Sequence, residues 1–258
     1  MRNEQSRPDI NISGVGKASG GTYRHVRVDG VGKFSGDIDC VSYEVNGTSG
    51  LQGNLRCERY VVNGSANIQG TVVADEYQVN GSSKVEGGVK TKQTRIDGVS
   101  SIKEHLETDK LIVNGKATID GKLIGSCVEV AGGITVGKDV ECETIEVQGG
   151  FKIKGMLNAG TVDIMLHHRC EVEEIGGEQI QVRRKSKVRL LDQFVPAMTP
   201  RLKTHIIEGD DIYLEHTHAG TVRGSRIIIG PGCEIGVVEY SVSYEQDPES
   251  QVGRQIQV

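Results

Sequence analysis

Apolar side chains in this chain recur at a fixed long distance rather than on a helical or simple alternating period. One column reads Phe34, Leu51, Ile68, Val85, Ile102, Ile119, Val136, Ile153. A second reads Ile38, Leu55, Val72, Val89, Leu106, Leu123, Val140, Leu157, and a third Tyr43, Tyr60, Tyr77, Thr94, Leu111, Val128, Ile145, Val162. Every step is seventeen residues. Glycine keeps the same step at Gly30, Gly47, Gly64, Gly81, Gly98, Gly115, Gly132 and Gly149, usually after Val-Asn or Val-Asp. Two further columns are mostly small, one running Ser49, Ala66, Ser83, Ser100, Ala117 and the other Cys40, Cys57, Ala74, Thr91, Thr108. Repeats of this kind mark stacked units that bury their faces against one another.

Within one coil the pairs Tyr43/Val45, Ser49/Leu51 and Leu55/Cys57 each have the i, i+2 spacing of one strand face. Gly47 and Gly53 fall between pairs, where the chain must bend and a positive φ is expected. The coil then reads as a three-sided prism with sides of six, six and five residues. Asn-Gly also signals hairpin turns. Hairpins, however, do not require like residues at every seventeenth position, whereas parallel stacking lays like on like at ~4.8 Å. The expected fold class is all-β, a parallel β-helix (β-solenoid) of triangular cross-section with 17-residue coils. Eight coils would stack to roughly 40 Å. No segment sustains a 3.6-residue period, so little helix is expected.

The pattern sets the expected boundaries. Residues 1–13 read as a disordered tail and 14–182 as the main array, the first coil being a shorter relative offset by sixteen. Residues 183–204 are an insertion loop, 205–240 return to strand-like coils, and 241–258 form a polar tail expected to be disordered.

Composition adds constraints. The 258 residues include 35 glycines and no tryptophan, which suits a chain that turns often. A net charge of −5 gives no case for a nucleic-acid partner. The first residues lack an apolar signal core and no stretch reaches the ~20 apolar residues of a membrane span. Six cysteines lie without C-x-x-C pairs. These features lead us to expect a reduced, cytoplasmic protein, with peripheral attachment to the inner face of the membrane as an addition.

That addition rests on the insertion. It carries Arg183, Arg184, Lys185, Lys187 and Arg189 beside Leu190, Leu191, Phe194, Val195 and Met198, with Asp192 as its one acid up to Lys203. A basic and apolar loop suits an anionic membrane surface or a partner. The alternative is that its apolar residues fold back onto the solenoid, and Pro196 and Pro200 interrupt any long helix.

Catalytic signals are weak. His216-Thr217-His218, with His167, His168 and Cys170, does not make a set with zinc-like spacing. Cys40 and Cys57 should be neighbours on adjacent coils and read as small core residues. Ile229-Gly230-Pro231-Gly232-Cys233-Glu234-Ile235 looks like one hexapeptide of the left-handed β-helix acyltransferases, which need eighteen-residue coils throughout. There is no G-K-[ST] phosphate loop. No catalytic residue, cofactor or metal is implied. The chemistry left is that of the solenoid's ends, whose coil faces carry apolar side chains and unpaired strand edges. Val26, Val28, Phe34 and Ile38 are the candidate polymer interface on the N-terminal coil. A charge there, such as Val28→Glu, is expected to block assembly with the fold intact. A left-handed β-helix transferase and a non-polymerising adaptor are the competing readings.

The Val-Asn-Gly coils with Gly-x-Val partners, as in Val62-Asn63-Gly64 through Gly70-Thr71-Val72, resemble those of the bactofilins. So do Ile207-Glu208-Gly209-Asp210-Asp211-Ile212-Tyr213-Leu214-Glu215 and the Ile229–Ile235 stretch, which look like the C-terminal signature of longer Gram-positive members. The resemblance covers most of Gly14 to Tyr240. It implies a right-handed helix and nucleotide-independent filaments formed end to end. It also implies a non-enzymatic cytoskeletal scaffold for cell shape, wall synthesis or motility. The partners it implies are the chain itself, the membrane surface, and cell-wall or motility proteins. Met1 to Asp9 departs from the apolar N-terminal segment of many members, and the loop around Leu190 to Met198 is the substitute.

Overall fold

The computed structural model describes residues 7–184 and 200–258, and among these every regular element is a β-strand. Strands pair in parallel with the partner one coil away, so the chain is a parallel β-solenoid. Register follows the sequence columns: Ile38 lies on Leu55, Cys40 on Cys57, Tyr43 on Tyr60 and Val45 on Val62. The chain divides into two compact units, Met1–Gly125 and Ser126–Val258.

In the first unit a coil consists of one eight-residue strand, such as Leu55–Val62, and one short strand, such as Ser65–Ile68. The expected inward residues Tyr43, Val45, Ser49, Leu51, Leu55 and Cys57 are all buried. The three expected sides are present, but only two corners interrupt the strands. At the third, Glu58 and Arg59 both face outward and Glu58 drops out of the pairing between Cys57↔Ala74 and Arg59↔Glu76. Two successive outward residues shift the in-out phase, which turns the chain without a glycine.

The glycine column has a different cause from the one expected. Among glycines, positive φ is confined to Gly21, Gly36 and Gly232. Gly47 needs no left-handed backbone; a Cβ there would lie 2.0 Å from the Gly30 carbonyl oxygen, and one on Gly64 2.0 Å from that of Gly47. Close stacking of successive turns excludes any side chain. The Val28 carbonyl accepts the amides of both Asn46 and Gly47, at 2.8 and 3.0 Å, which draws the turns together.

The neighbouring asparagines form a one-way ladder. Asn46 Nδ2 donates to Asp29 Oδ1 at 2.8 Å, Asn63 to Asn46 at 2.8 Å, and Asn80 to Asn63 at 2.6 Å. Aspartate has no donor, so Asp97 does not extend the ladder. It starts a new one by accepting Asn114 Nδ2 at 2.6 Å. Asn46 and Arg27 hold the Asp29 carboxyl below the usual carboxylate range, and Arg95 and Asn114 do the same for Asp97.

Inside, Tyr43, Tyr60 and Tyr77 stack with ring centroids 6.0 and 4.9 Å apart. A buried phenol needs a partner, and the small column supplies it. Tyr43 pairs with Ser49 at 2.6 Å; Tyr77 reaches Ser83 at 2.9 Å and Ser100 at 3.1 Å. Ala66 stands beside Tyr60, whose hydroxyl therefore reaches Ser83 on the next coil at 3.0 Å. Where tyrosine gives way to Leu111, serine gives way to Ala117.

In the second unit the step varies. It is seventeen between Val140–Val147 and Gly150–Leu166 and mostly eighteen to Cys170–Arg184, placing Val162 on Ile180 and Ile164 on Val182 as expected. Leu202–Leu214 then continues the stack, so the insertion leaves the register between Val182 and Leu214 intact. The next step is fifteen, Ile212 onto Ile227. Glycine stacking persists here too: a Cβ on Gly209 would lie 2.4 Å from the Gly177 oxygen, and one on Gly224 2.4 Å from that of Gly209.

Both terminal expectations change. Ile10–Ile12 is a strand lying on Val26–Val28, so order begins before Gly14. Gln251–Gln257 pairs with Glu234–Tyr240 as a further coil rather than a disordered tail. Its backbone ladder provides order that its polar side chains do not advertise.

Candidate functional site

The edge of the first unit is built from Ile10–Ile12 and Val15–Thr22. Ile10, Ile12 and Ala18 are half-buried, because they cover the coil beneath but have nothing over them among the described residues. The edge is fastened from the side. Arg24 grips Asp9 through two bonds of 2.6 and 3.0 Å, the His25 amide donates to Asp9 at 3.2 Å, and Arg7 meets Asp39 at 3.0 Å. The Arg24 guanidinium holds the Asp9 carboxyl below its ordinary range. Tyr23 donates to the Ser19 carbonyl at 2.8 Å, closing the turn. The coil is thus tied to the one beneath it, with its outer strand edges free among the described residues.

Val26 and Val28 are 0% exposed, Phe34 and Ile38 1%. They lie one coil inside, under Ile10, Ile12, Ala18 and Gly21 respectively. The candidate face therefore moves outward to Ile10, Ile12 and Ala18. Val28→Glu would put a charge into the core and cost the fold, contrary to the expectation from sequence. The missed signal was legible: Ile10-x-Ile12 precedes Val26-x-Val28 by the same sixteen residues that relate Gly14–Gly20 to Gly30–Gly36.

Of the candidate loop, Arg183 and Arg184 are described. Arg183 makes a double contact with Asp163 at 2.6 and 2.9 Å, and the Arg184 amide donates to Glu215 at 2.7 Å. Both residues belong to the end of the strand Cys170–Arg184, and the side chain of Arg183 and the backbone amide of Arg184 tie that end to neighbouring coils. Lys185, Lys187, Arg189, Leu190, Leu191, Phe194, Val195 and Met198 lie outside the described residues.

The remaining chemical candidates do not converge. Among the described residues no group of three His, Cys, Asp or Glu side chains could hold a metal ion. His216 adopts φ 46° with its amide on Pro231, whereas His218 extends along the next strand toward Glu234 at 3.1 Å. All six cysteines are free. Cys40 and Cys57 are buried in register, and contact with Cys40 and burial push the Cys57 thiol upward. The Ile229–Ile235 turn joins strands whose register is sixteen at His218↔Glu234 and seventeen at Arg226↔Ser243, not eighteen.

No family model matches the chain, and no solved structure does. Two curated relatives come from Bacillus subtilis (strain 168), and both are described as uncharacterized. YhbF is 43% identical over 99 residues, 38% of this chain and 40% of YhbF. YhbE is 43% identical over 101 residues, 39% of this chain and 42% of YhbE. The chain thus matches about two fifths of the length of these relatives.

Proposed function

We propose that this chain is a bactofilin-like, non-catalytic scaffold of the cytoplasm that assembles end to end without nucleotide. Such a filament would support cell shape, wall synthesis or motility. The observation that carries the reading is the edge of Ile10–Ile12 and Val15–Thr22, free among the described residues, with Ile10 and Ile12 half-exposed on it. A row of unpaired amides and carbonyls beside apolar side chains is a template for another strand. The basic and apolar composition of residues 185–199 supports anchoring of the filament to an anionic membrane surface.

Negative-stain microscopy of the purified chain without nucleotide tests the first part. Filaments are expected, and Ile12→Glu should abolish them while leaving the circular dichroism spectrum unchanged. Monomers alone across protein and salt concentrations overturn the reading. Liposome co-sedimentation tests the anchor: a Leu191→Asp, Phe194→Asp variant should lose binding, and retained binding removes the membrane from the proposal.

A further inference from the structure

Three surface hollows of the first unit differ in charge. One is bordered by Glu44, Glu58, Asp75 and Glu76 together with Arg27 and Arg59, and a second by Asp37 and Asp39 together with Arg56. The third, of about 330 Å³, has no carboxylate in its lining. It is formed by Lys17, Lys33, Ser35, Gln52, Asn67 and Gln69 over a floor of Phe34, Gly50 and Leu51. Its two charged residues are both lysines.

The hollow exists because one outward row loses a side chain. Lys17, Lys33, Gly50 and Asn67 stack in register on successive coils. A Cβ on Gly50 would meet nothing within 4 Å. Unlike Gly47 or Gly64, this glycine is not demanded by backbone crowding, and it leaves a notch one rung deep. The row beside it carries Ser35 and Gln52 in register, with Gln69 on the following coil, on the side of Gly50 away from the lysines.

The cations above the notch are uncompensated. Lys84, farther along the same row, is neutralised by Glu86 two residues on, at 2.5 Å. At the corresponding positions Lys17 and Lys33 are followed by Ser19 and Ser35. Neither lysine has an ion-pair partner among the described residues. Two ammonium groups on adjacent rungs, ~4.8 Å apart at their backbones, repel until an anion lies between them.

We propose that this notch binds the phosphate ester of a small sugar or polyol. The phosphate sits against Lys17 and Lys33, where two cations match a dianion. The sugar lies in the notch over Gly50, its hydroxyls meeting the Gln52, Asn67 and Gln69 amides and the Ser35 hydroxyl. A bare phosphate would leave those amides unused and the cavity largely empty. Lys17 belongs to the edge strand Val15–Thr22, whereas Lys33, Ser35, Gly50, Gln52, Asn67 and Gln69 lie on the coils beneath it, so the notch forms without a second copy of the chain.

Isothermal titration calorimetry on the full chain at low salt, with glucose 6-phosphate, inorganic phosphate and glucose as probes, tests it. Glucose 6-phosphate should bind saturably and inorganic phosphate about tenfold more weakly, with no measurable heat from glucose. Lys33→Gln should weaken glucose 6-phosphate binding about tenfold. Gly50→Gln, which fills the notch into open space, should abolish binding with the melting temperature unchanged. Absence of saturable heat from glucose 6-phosphate, or equal binding by the Gly50→Gln variant, overturns the site. Equal affinity for inorganic phosphate overturns the sugar assignment.

Discussion

At the residue scale, identical residue types serve different physical ends. Gly64 is fixed because a Cβ would strike the Gly47 carbonyl oxygen at 2.0 Å, whereas Gly50 has open space around it. Gly64→Ala should therefore cost about 2–3 kcal/mol through forced backbone separation. Gly50→Ala should be neutral or stabilising by about 0.5 kcal/mol, because alanine restricts the unfolded chain. Urea denaturation of the two variants distinguishes these cases. The tyrosine column gives a second prediction. Ser83→Ala removes the hydroxyl that Tyr60 uses, whereas Tyr77 keeps Ser100. A buried phenol left unpaired should cost about 1–3 kcal/mol, and adding Tyr60→Phe should restore part of it. No recovery in the double variant would show that Ser83 acts through packing alone.

At the element scale, a strand of this solenoid is stabilised by its neighbours above and below rather than by its own propensity. Leu55–Val62 illustrates how the pattern encodes position: two outward residues in succession, Glu58 and Arg59, make the corner. The three inward phenols, one on each of the strands Val31–Val45, Leu55–Val62 and Val72–Val79, make these elements sensitive to alkali. Burial pushes Tyr43, Tyr60 and Tyr77 above the ordinary phenol value. The unfolded chain releases those protons at about pH 10 while the folded chain retains them. Their contribution is complete below that pH and is lost as pH rises toward the folded values. The share of tyrosinate absorbance that belongs to Tyr43, Tyr60 and Tyr77 should appear only together with the loss of the circular dichroism spectrum, above about pH 10. Ionisation of all seven tyrosines near that pH with an unchanged dichroism spectrum would contradict the burial argument.

At the scale of the whole molecule, thiol reactivity reports on the fold in both units. Cys40, Cys57, Cys170 and Cys233 are buried, and Cys127 and Cys142 are half-buried. Burial raises the Cys142 thiol to about 12 and those of Cys170 and Cys233 to about 11. A thiol reagent at neutral pH should label Cys127 first and Cys142 slowly, reaching the other four only on denaturation. Mass spectrometry of the labelled peptides gives the order. Fast labelling of Cys40 or Cys57 would mean that the first unit opens readily.

The sequence determined the stacking itself. A seventeen-residue step that keeps Tyr on Tyr and Asn on Asn has one economical solution, because parallel strands bring equivalent positions together at every rung. It also marked the inward residues, through i, i+2 pairs, and an interruption at 183–204, whose bounds the structure narrows because the strands run to Arg184 and resume at Leu202. It did not reveal why glycine recurs, since crowding by another turn's carbonyl depends on how closely two backbones approach in space. Nor did it place the edge of the array. Ile10–Ile12 gains order by pairing with Val26–Val28, and its one sequence signal is the sixteen-residue offset between Ile10-x-Ile12 and Val26-x-Val28. The polar strand Gln251–Gln257 is ordered for the same reason, through backbone bonds to a neighbouring coil. The notch beside Lys17 and Lys33 likewise depends on register, which alone sets an empty glycine between charged and amide rungs.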